Sequence, residues 1–453
     1  MAKILLKNIH TLATMNDNRD ELNDAAIVIN GKVIDYVGSN EGAAHIAVDQ
    51  VIDLSNHVVL PGLINTHHHM YQTLTRAVPK AQNAELFGWL KTLYPIWERI
   101  TPDMLYASTR TAMAELLQSG CTTSSDHLYL FPNGCTLEHT IEAAQEMGMR
   151  FHASRGAMSV GESKGGLPPD SLVENEDHIL RDMQRLVEQH HDASHASMLR
   201  IALAPCSPFS VSQDLMRESA KLARSLKVSL HTHLAENQND IAYSREKFNR
   251  TPAEYVEELG WTGPDVWHAH CVHLDDAGIQ LFSRTKTGVA HCPCSNMRLG
   301  SGIAPIRKMM DHQVPVGLGV DGSASNDGSN MLNEARQAML LQRVAHQDPR
   351  QFSAREALWV ATRGGADVLN RNDIGQLSPN YAADLIAFDL NQLNYAGALH
   401  DPIAATLFCA SASVAYSIIN GKIVIQEGRF KQSDLPGIVR AHNTLSHELL
   451  SSS

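Results

Sequence analysis

Residues 58–69 read VVLPGLINTHHH, an apolar run that ends in three consecutive histidines. In an extended chain the side chains at i and i+2 project to the same side, so His67 and His69 reach one point while His68 faces the other way. A single HxH in a chain with 24 histidines is weak evidence for a metal. Its meaning depends on the other strands of the chain.

Seven further strand-like runs succeed it: CTTSSDH (121–127), MRFHASRGAMS (149–159), LRIALAPCS (199–207), VSLHTHLAE (228–236), VWHAHCVHL (266–274), GVAHCPCS (288–295) and VPVGLGVDGSAS (314–325). Helical patterns lie between them, such as PDMLYASTRTAMAELLQSG (102–120) and DLMRESAKLARSLK (214–227). Strand and helix alternating eight times is the pattern of a closed (β/α)8 barrel, whose functional groups sit where strands end. A doubly wound open sheet is the alternative, but no GxGxxG or GxxxxGK[ST] follows the first strand. The fold class expected is α/β, a TIM-type barrel over residues 59–373.

Both termini read as short strands and turns. The phrase INGK occurs at 29–32 and again at 419–422, each time as an Asn-Gly turn signal between apolar stretches. Residues 1–58 and 374–453 are therefore expected to form one small β-sandwich domain, with the barrel inserted between them.

Composition narrows the function classes. Hydrophobic residues make up 43% and charged residues 19%, which suits a globular chain with ample core. Lys plus Arg number 37 against 49 Asp plus Glu, a net charge of -12, and no basic run is present to track a phosphate backbone, so nucleic acid is not an expected partner. No run reaches the ~18 apolar residues that cross a bilayer, and MAKILLKNIH lacks the features of a signal peptide, so a cytoplasmic protein with no membrane partner is expected. Seven cysteines with no CxxC pair indicate neither a disulfide framework nor a thiolate metal site.

Four strand ends carry the chemistry-bearing residues. His67 and His69 close the first run, His233 and Glu236 the fifth, His270 lies in the sixth, and Asp321 follows the eighth. Glu236, three positions after His233, must lie where the chain leaves the strand and turns over the barrel mouth. An unpaired buried carboxylate is strongly disfavoured, so Asp321 between an apolar strand and a Gly-Ser loop is a poor core residue. Other histidines near strand ends (His68, His127, His152, His231, His268, His273 and His291) are expected to pack or hydrogen-bond within the protein.

PGLINTHHH, HTHLAE, AHCVHL and GVDGSASN, in that order, resemble the amidohydrolase superfamily, and the INGK-bearing ends resemble its flanking β-sandwich. The resemblance implies one divalent metal ion, zinc in deaminases, held by His67, His69, His233 and Asp321, with Glu236, His270 and Asp321 as catalytic groups. Binuclear relatives need a carboxylated lysine on strand four, and LRIALAPCS has none. Imidazoles at about 2.0–2.1 Å and a carboxylate leave a position for water, whose pKa bound zinc lowers from near 16 to about 7.

HHHMYQTLTRAVPKAQNAELFGWL, ASRGAMSVGESKGGLPPDS and APCSPFSVS are similar to the 8-oxoguanine deaminases and, less closely, to the s-triazine and hydroxyatrazine aminohydrolases. Pro205-Cys206 replaces the Pro-His pair usual in thioether nucleoside deaminases. The resemblance implies hydrolytic deamination of free 8-oxoguanine to urate and ammonia. Guanine, isocytosine or a triazine is the alternative, and an inactive metal-binding scaffold is the reading from a different class. The glutamate is lacking in some chlorohydrolase relatives, so Glu236 argues for an amine leaving group. Gln72, Trp89, Arg155 and Cys206 are the candidate substrate-binding residues: an amide to read a ring edge, an indole to cover a flat ring, a guanidinium for a carbonyl oxygen, and a small thiol. Homo-oligomers are common for this architecture, and no interface is legible in the chain.

Overall fold

The computed structural model describes residues 2–409 and 413–451. Its centre is a closed barrel of eight parallel strands: Leu63–Asn65, Cys121–Leu128, Arg150–Ala157, Leu199–Pro205, Ser229–Leu234, Val266–His270, Gly288–His291 and Val316–Leu318. Each corresponds to one of the eight runs read from the sequence, and the pairing of Leu318 with Asn65 closes the ring. Helices form between the strands where the sequence carries start signals. Thr101 accepts from the Met104 backbone N–H and is followed by Pro102, which opens the helix Pro102–Gln118. Ser212 accepts from the Leu215 N–H in the same way and caps the helix Gln213–Leu226.

The two ends of the chain build a second unit. Lys3–Ala13, Glu21–Asn30, Val33–Ser39, Gln50–Asp53 and His57–Pro61 join Leu385–Asp389, Tyr416–Ile419, Lys422–Gln426 and Arg429–Phe430 in one nine-stranded sheet. The seam between the N- and C-terminal halves is the antiparallel pairing of His57–Pro61 with Leu385–Asp389. The sheet is continuous, and its two arms share a core that includes Ile4, Ile27, Ile34, Leu385 and Ile418. The INGK turns meet there. Gly421 has φ 74°, and a Cβ on it would lie 1.8 Å from the Gly31 carbonyl oxygen, so both the turn and the close approach require glycine.

The sheet is bolted to the barrel by a buried ion pair. Arg150, at the start of the third barrel strand, donates Nε to Asp384 Oδ2 at 2.7 Å and Nη2 to Oδ1 at 2.9 Å, and both side chains are almost fully buried. Its Nη1 donates to the Ala196 and Ser197 carbonyls. Replacing Arg150 by Met strands a buried carboxylate, so Arg150→Met is expected to cost about 3–5 kcal/mol. Urea denaturation would show this as a lower midpoint, with the added change Asp384→Leu recovering much of the loss. An unchanged midpoint in the single variant would remove the pair from the account.

The C-terminal helix, Leu435–Ser451, returns to the barrel and packs against the helix Pro102–Gln118. His442 Nε2 donates to the Thr73 carbonyl at 3.0 Å and Ser446 Oγ to the Leu74 carbonyl at 2.7 Å. Both carbonyls belong to the short 3-10 turn Met70–Thr75 that comes after the three histidines. No helix among the described residues is long and apolar enough to cross a membrane. All seven cysteines are free thiols.

Candidate metal centre

The four strand ends converge. His67 and His69 lie just past the end of the first strand, with their ring centroids 4.7 Å apart, and His233 lies 4.9 Å from the first and 5.1 Å from the second. Asp321 Oδ1 is 3.2 Å from His67 Nε2 and 3.4 Å from His69 Nε2. The backbone bends to deliver these groups. Ala235 (φ 52°) turns the chain out of the fifth strand so that Glu236 reaches the mouth, and His270 (φ 71°) and Asp321 (φ 62°) hold left-handed conformations that non-glycine residues rarely adopt.

The hydrogen bonds fix the tautomers, and the tautomers call for a cation. His69 Nδ1 donates to the His127 carbonyl at 2.7 Å and His233 Nδ1 to the Cys206 carbonyl at 2.6 Å. His231 Nδ1 donates to the Trp267 carbonyl at 3.0 Å, which leaves its Nε2 to accept from His67 Nδ1 at 2.8 Å. Every Nδ1 is thus a donor, so each Nε2 of His67, His69 and His233 carries a lone pair. Those of His69 and His233 face each other at 3.0 Å, and that of His67 is buried with no hydrogen-bond partner. Three converging lone pairs and a carboxylate repel one another unless a positive ion lies between them, and the donor set suits a divalent metal. Burial lowers the basicity of all three imidazoles, with His233 brought to about 3, so they remain neutral ligands. Burial opposes charge on Asp321 as well, but its carboxyl is held well below the ordinary carboxylate value, with His270 the basic neighbour that favours the charged form.

Around these four stand groups that sequence reasoning did not find. Ser295 Oγ donates to Asp321 Oδ2 at 2.5 Å, Ser325 Oγ donates to it at 3.1 Å, and the Gly322 N–H donates to Oδ1 at 2.7 Å. Asn296 Oδ1 accepts from His270 Nδ1 at 2.9 Å, turning His270 Nε2 toward Glu236 Oε2 at 3.6 Å and Asp321 Oδ2 at 3.8 Å. Burial opposes protonation of His270, yet Glu236 and Asp321 raise its pKa above the ordinary value. Burial pushes the Glu236 carboxyl up to about 7. The backbone N–H of Glu236 is held by Asp240 Oδ2 at 3.1 Å. Serine and asparagine are too common in loops for sequence to single these out.

A cavity opens over the centre, with about 380 Å³ free of protein atoms counting the part open to solvent. His69, His233, Glu236, His270 and Asp321 face it from the strand ends, and Gln72, Trp89 and Cys206 line it as well. Gln72 and Trp89 both clasp Ala324 of the loop after strand eight: Gln72 Oε1 accepts from its N–H at 3.4 Å and the Trp89 indole N–H donates to its carbonyl at 3.0 Å. Trp89 therefore offers a ring and no donor, while Gln72 lines the wall with its side-chain amide. Burial pushes the Cys206 thiol up to about 12, so it lines the wall as a neutral S–H.

Arg155 does not fit its expected role. Its guanidinium is bidentate with Glu174 (3.0 and 2.8 Å), donates Nε to Asp182 at 2.7 Å, and lies 3.9 Å over the Phe131 ring. The acids that capture it belong to the chain that comes after its own strand, and Arg155 is absent from the cavity lining. Of the histidines expected to be structural, His68 Nε2 meets Ser329 Oγ at 3.0 Å and His268 Nε2 donates to the Trp261 carbonyl at 3.0 Å. His231 is hydrogen-bonded directly to a metal-facing imidazole, that of His67.

A model of the amidohydrolase family matches residues 58–424. The chain belongs to this family. It is 43% identical over 452 residues to an 8-oxoguanine deaminase of Pseudomonas aeruginosa, covering 99% of this chain and 100% of that protein. It is 37% identical over 459 residues to a hydroxydechloroatrazine ethylaminohydrolase of Pseudomonas sp. strain ADP, covering 97% and 94%. The atrazine chlorohydrolase of Arthrobacter aurescens TC1 complexed with zinc superposes with a TM-score of 0.93 at 34% identity, covering 98% and 100%. The fold of this amidohydrolase thus recurs in a relative that binds zinc. That chlorohydrolase has also been crystallised as a glutamate-to-glutamine variant with zinc and atraton, so a glutamate of note is not confined to amine-releasing relatives. Glu236 alone does not decide the leaving group.

Proposed function

We propose that this chain hydrolyses free 8-oxoguanine to urate and ammonia, using one zinc ion held by His67, His69, His233 and Asp321. The observation that supports the reading is the wall of Trp89, Leu86, Leu90 and Leu299 that faces the strand-end carboxylates and histidines across the cavity. No Lys or Arg is among the residues lining the cavity, so a nucleotide phosphate would find no counter-charge, whereas a neutral base fits its Trp89 and leucine walls. The 43% identity to an 8-oxoguanine deaminase supports the choice of base.

When bound, the metal supplies a Lewis acid that makes water acidic enough to act as a nucleophile near neutral pH. Asp321, kept ionised, accepts a proton from the attacking water. Glu236, with a carboxyl near 7, populates both its forms at neutrality and carries protons to a ring nitrogen and to the departing amine. His270, oriented by Asn296 and made more basic by Glu236 and Asp321, polarises the carbon under attack. Water oxygen bonds to the amino-bearing carbon, the carbon–nitrogen bond breaks, and ammonia leaves.

An s-triazine aminohydrolase is the second reading, favoured by the 37% identity to a hydroxydechloroatrazine ethylaminohydrolase. A panel of 8-oxoguanine, guanine, isocytosine and hydroxylated triazines, compared by kcat/KM, decides between them. The ratio for 8-oxoguanine over the triazines is expected to be at least about 100. A reversed ratio would move the chain to the triazine branch, and no hydrolysis of any compound in the panel, by ammonia or amine release, on a metal-loaded sample would make it a scaffold.

A further inference from the structure

One polar group on the cavity wall has no partner. The helix Leu86–Trp97 covers the cavity with one face, presenting Leu86, Trp89, Leu90 and Tyr94 at helical spacing. Tyr94 is 1% exposed, its ring packs edge-on against Trp97 at 5.8 Å between centroids, and its hydroxyl makes no hydrogen bond. The Trp89 indole N–H and Gln72 Oε1 on this wall are already engaged, both tied to Ala324.

A buried donor left unpaired is costlier and rarer than an acceptor with a spare lone pair. Burial drives the Tyr94 phenol well above its ordinary pKa, so its proton is present at every working pH. Among the described residues no protein atom accepts from it.

We propose that the Tyr94 hydroxyl donates a hydrogen bond to the oxo group that 8-oxoguanine carries on its five-membered ring and guanine lacks. The inference rests on the deaminase reading above and deepens it: the substrate class becomes an aminopurine that carries an oxo group on its five-membered ring. The apolar remainder of this helix face, Leu86 and Leu90, offers nothing else to such an oxygen. A base without the oxo group would leave the phenol unpaired. The site would then discriminate against that base by more than the loss of one contact, because a buried polar group goes unsatisfied.

The test measures binding without turnover. In a zinc-loaded Glu236→Gln background, calorimetry gives Kd for 8-oxoguanine and for guanine, which differ by one ring oxo group, with and without Tyr94→Phe. Phe keeps the ring and its packing, and metal content reports that the fold is intact. Tyr94→Phe is expected to weaken 8-oxoguanine by about tenfold or more and guanine by less than about twofold. Equal weakening of both bases, or no change in either, overturns the assignment. Ammonia release by the unmodified chain reports separately on the reaction. If 8-oxoguanine is deaminated but the affinities do not split, the Tyr94 assignment fails and the deaminase reading stands. The split without ammonia release would leave the subsite and remove the reaction.

Discussion

Glu236→Gln is expected to lower kcat by about a thousandfold while leaving the metal content unchanged. The carboxyl is not among the converging ligands: its close neighbour is His270 Nε2, 3.6 Å from Oε2, and its backbone is held by Asp240. Glutamine preserves the shape and removes the titratable proton, so binding survives and proton delivery does not. Steady-state kinetics and metal analysis on the same preparation check both halves. A variant with full activity would take Glu236 out of the reaction, and one that lost its metal would make Glu236 a ligand.

Asp321→Asn strikes both functions proposed for its residue. Oδ1 faces the His67 and His69 nitrogens, while Oδ2 receives Ser295 and Ser325 and faces His270. Asparagine removes the one negative charge among the four proposed ligand groups and the proposed acceptor for the proton of water. Activity is expected to fall by about a thousandfold or more, and metal affinity by at least about tenfold against a competing chelator. Retained affinity with lost activity would confine Asp321 to proton transfer. An unchanged rate would mean that the strand-eight assignment is wrong.

The two substitutions separate roles that the chain places on different strands. Glu236 stands at the exit of the fifth strand and Asp321 beyond the end of the eighth, and a shared neighbour, His270, lies near both carboxylates. Its raised basicity comes from those two charges, so either substitution also lowers the charge that holds the proton on His270. The effects of combining them are therefore not expected to add.

Topology explains why so much of the centre could be read in advance. In a closed parallel barrel every strand ends at the same mouth, so a residue marked as lying at a strand end is thereby placed beside all the others. That rule brings His67, His69, His233, Glu236, His270 and Asp321 together from segments spread over residues 67–321. The INGK turns are legible for a similar reason, because Asn-Gly sets a local backbone conformation whatever surrounds it. Arg155 marks the limit of the rule. Its strand position is readable, but whether a guanidinium meets substrate or acid depends on where Glu174 and Asp182 are carried by a loop and a helix with no fixed register.

The sequence by itself determined the alternation of strands and helices, the strand-end positions and the residue types able to hold a cation, because these arise from local periodicity and chemistry. Only the tertiary structure decided which ring nitrogens face inward, through carbonyls contributed by Cys206, His127 and Trp267. It alone showed that Ala324 ties down Gln72 and Trp89 while the Tyr94 hydroxyl stays unpaired. Hydrogen-bond partners are set by distances between distant segments, and no spacing along the chain encodes those distances.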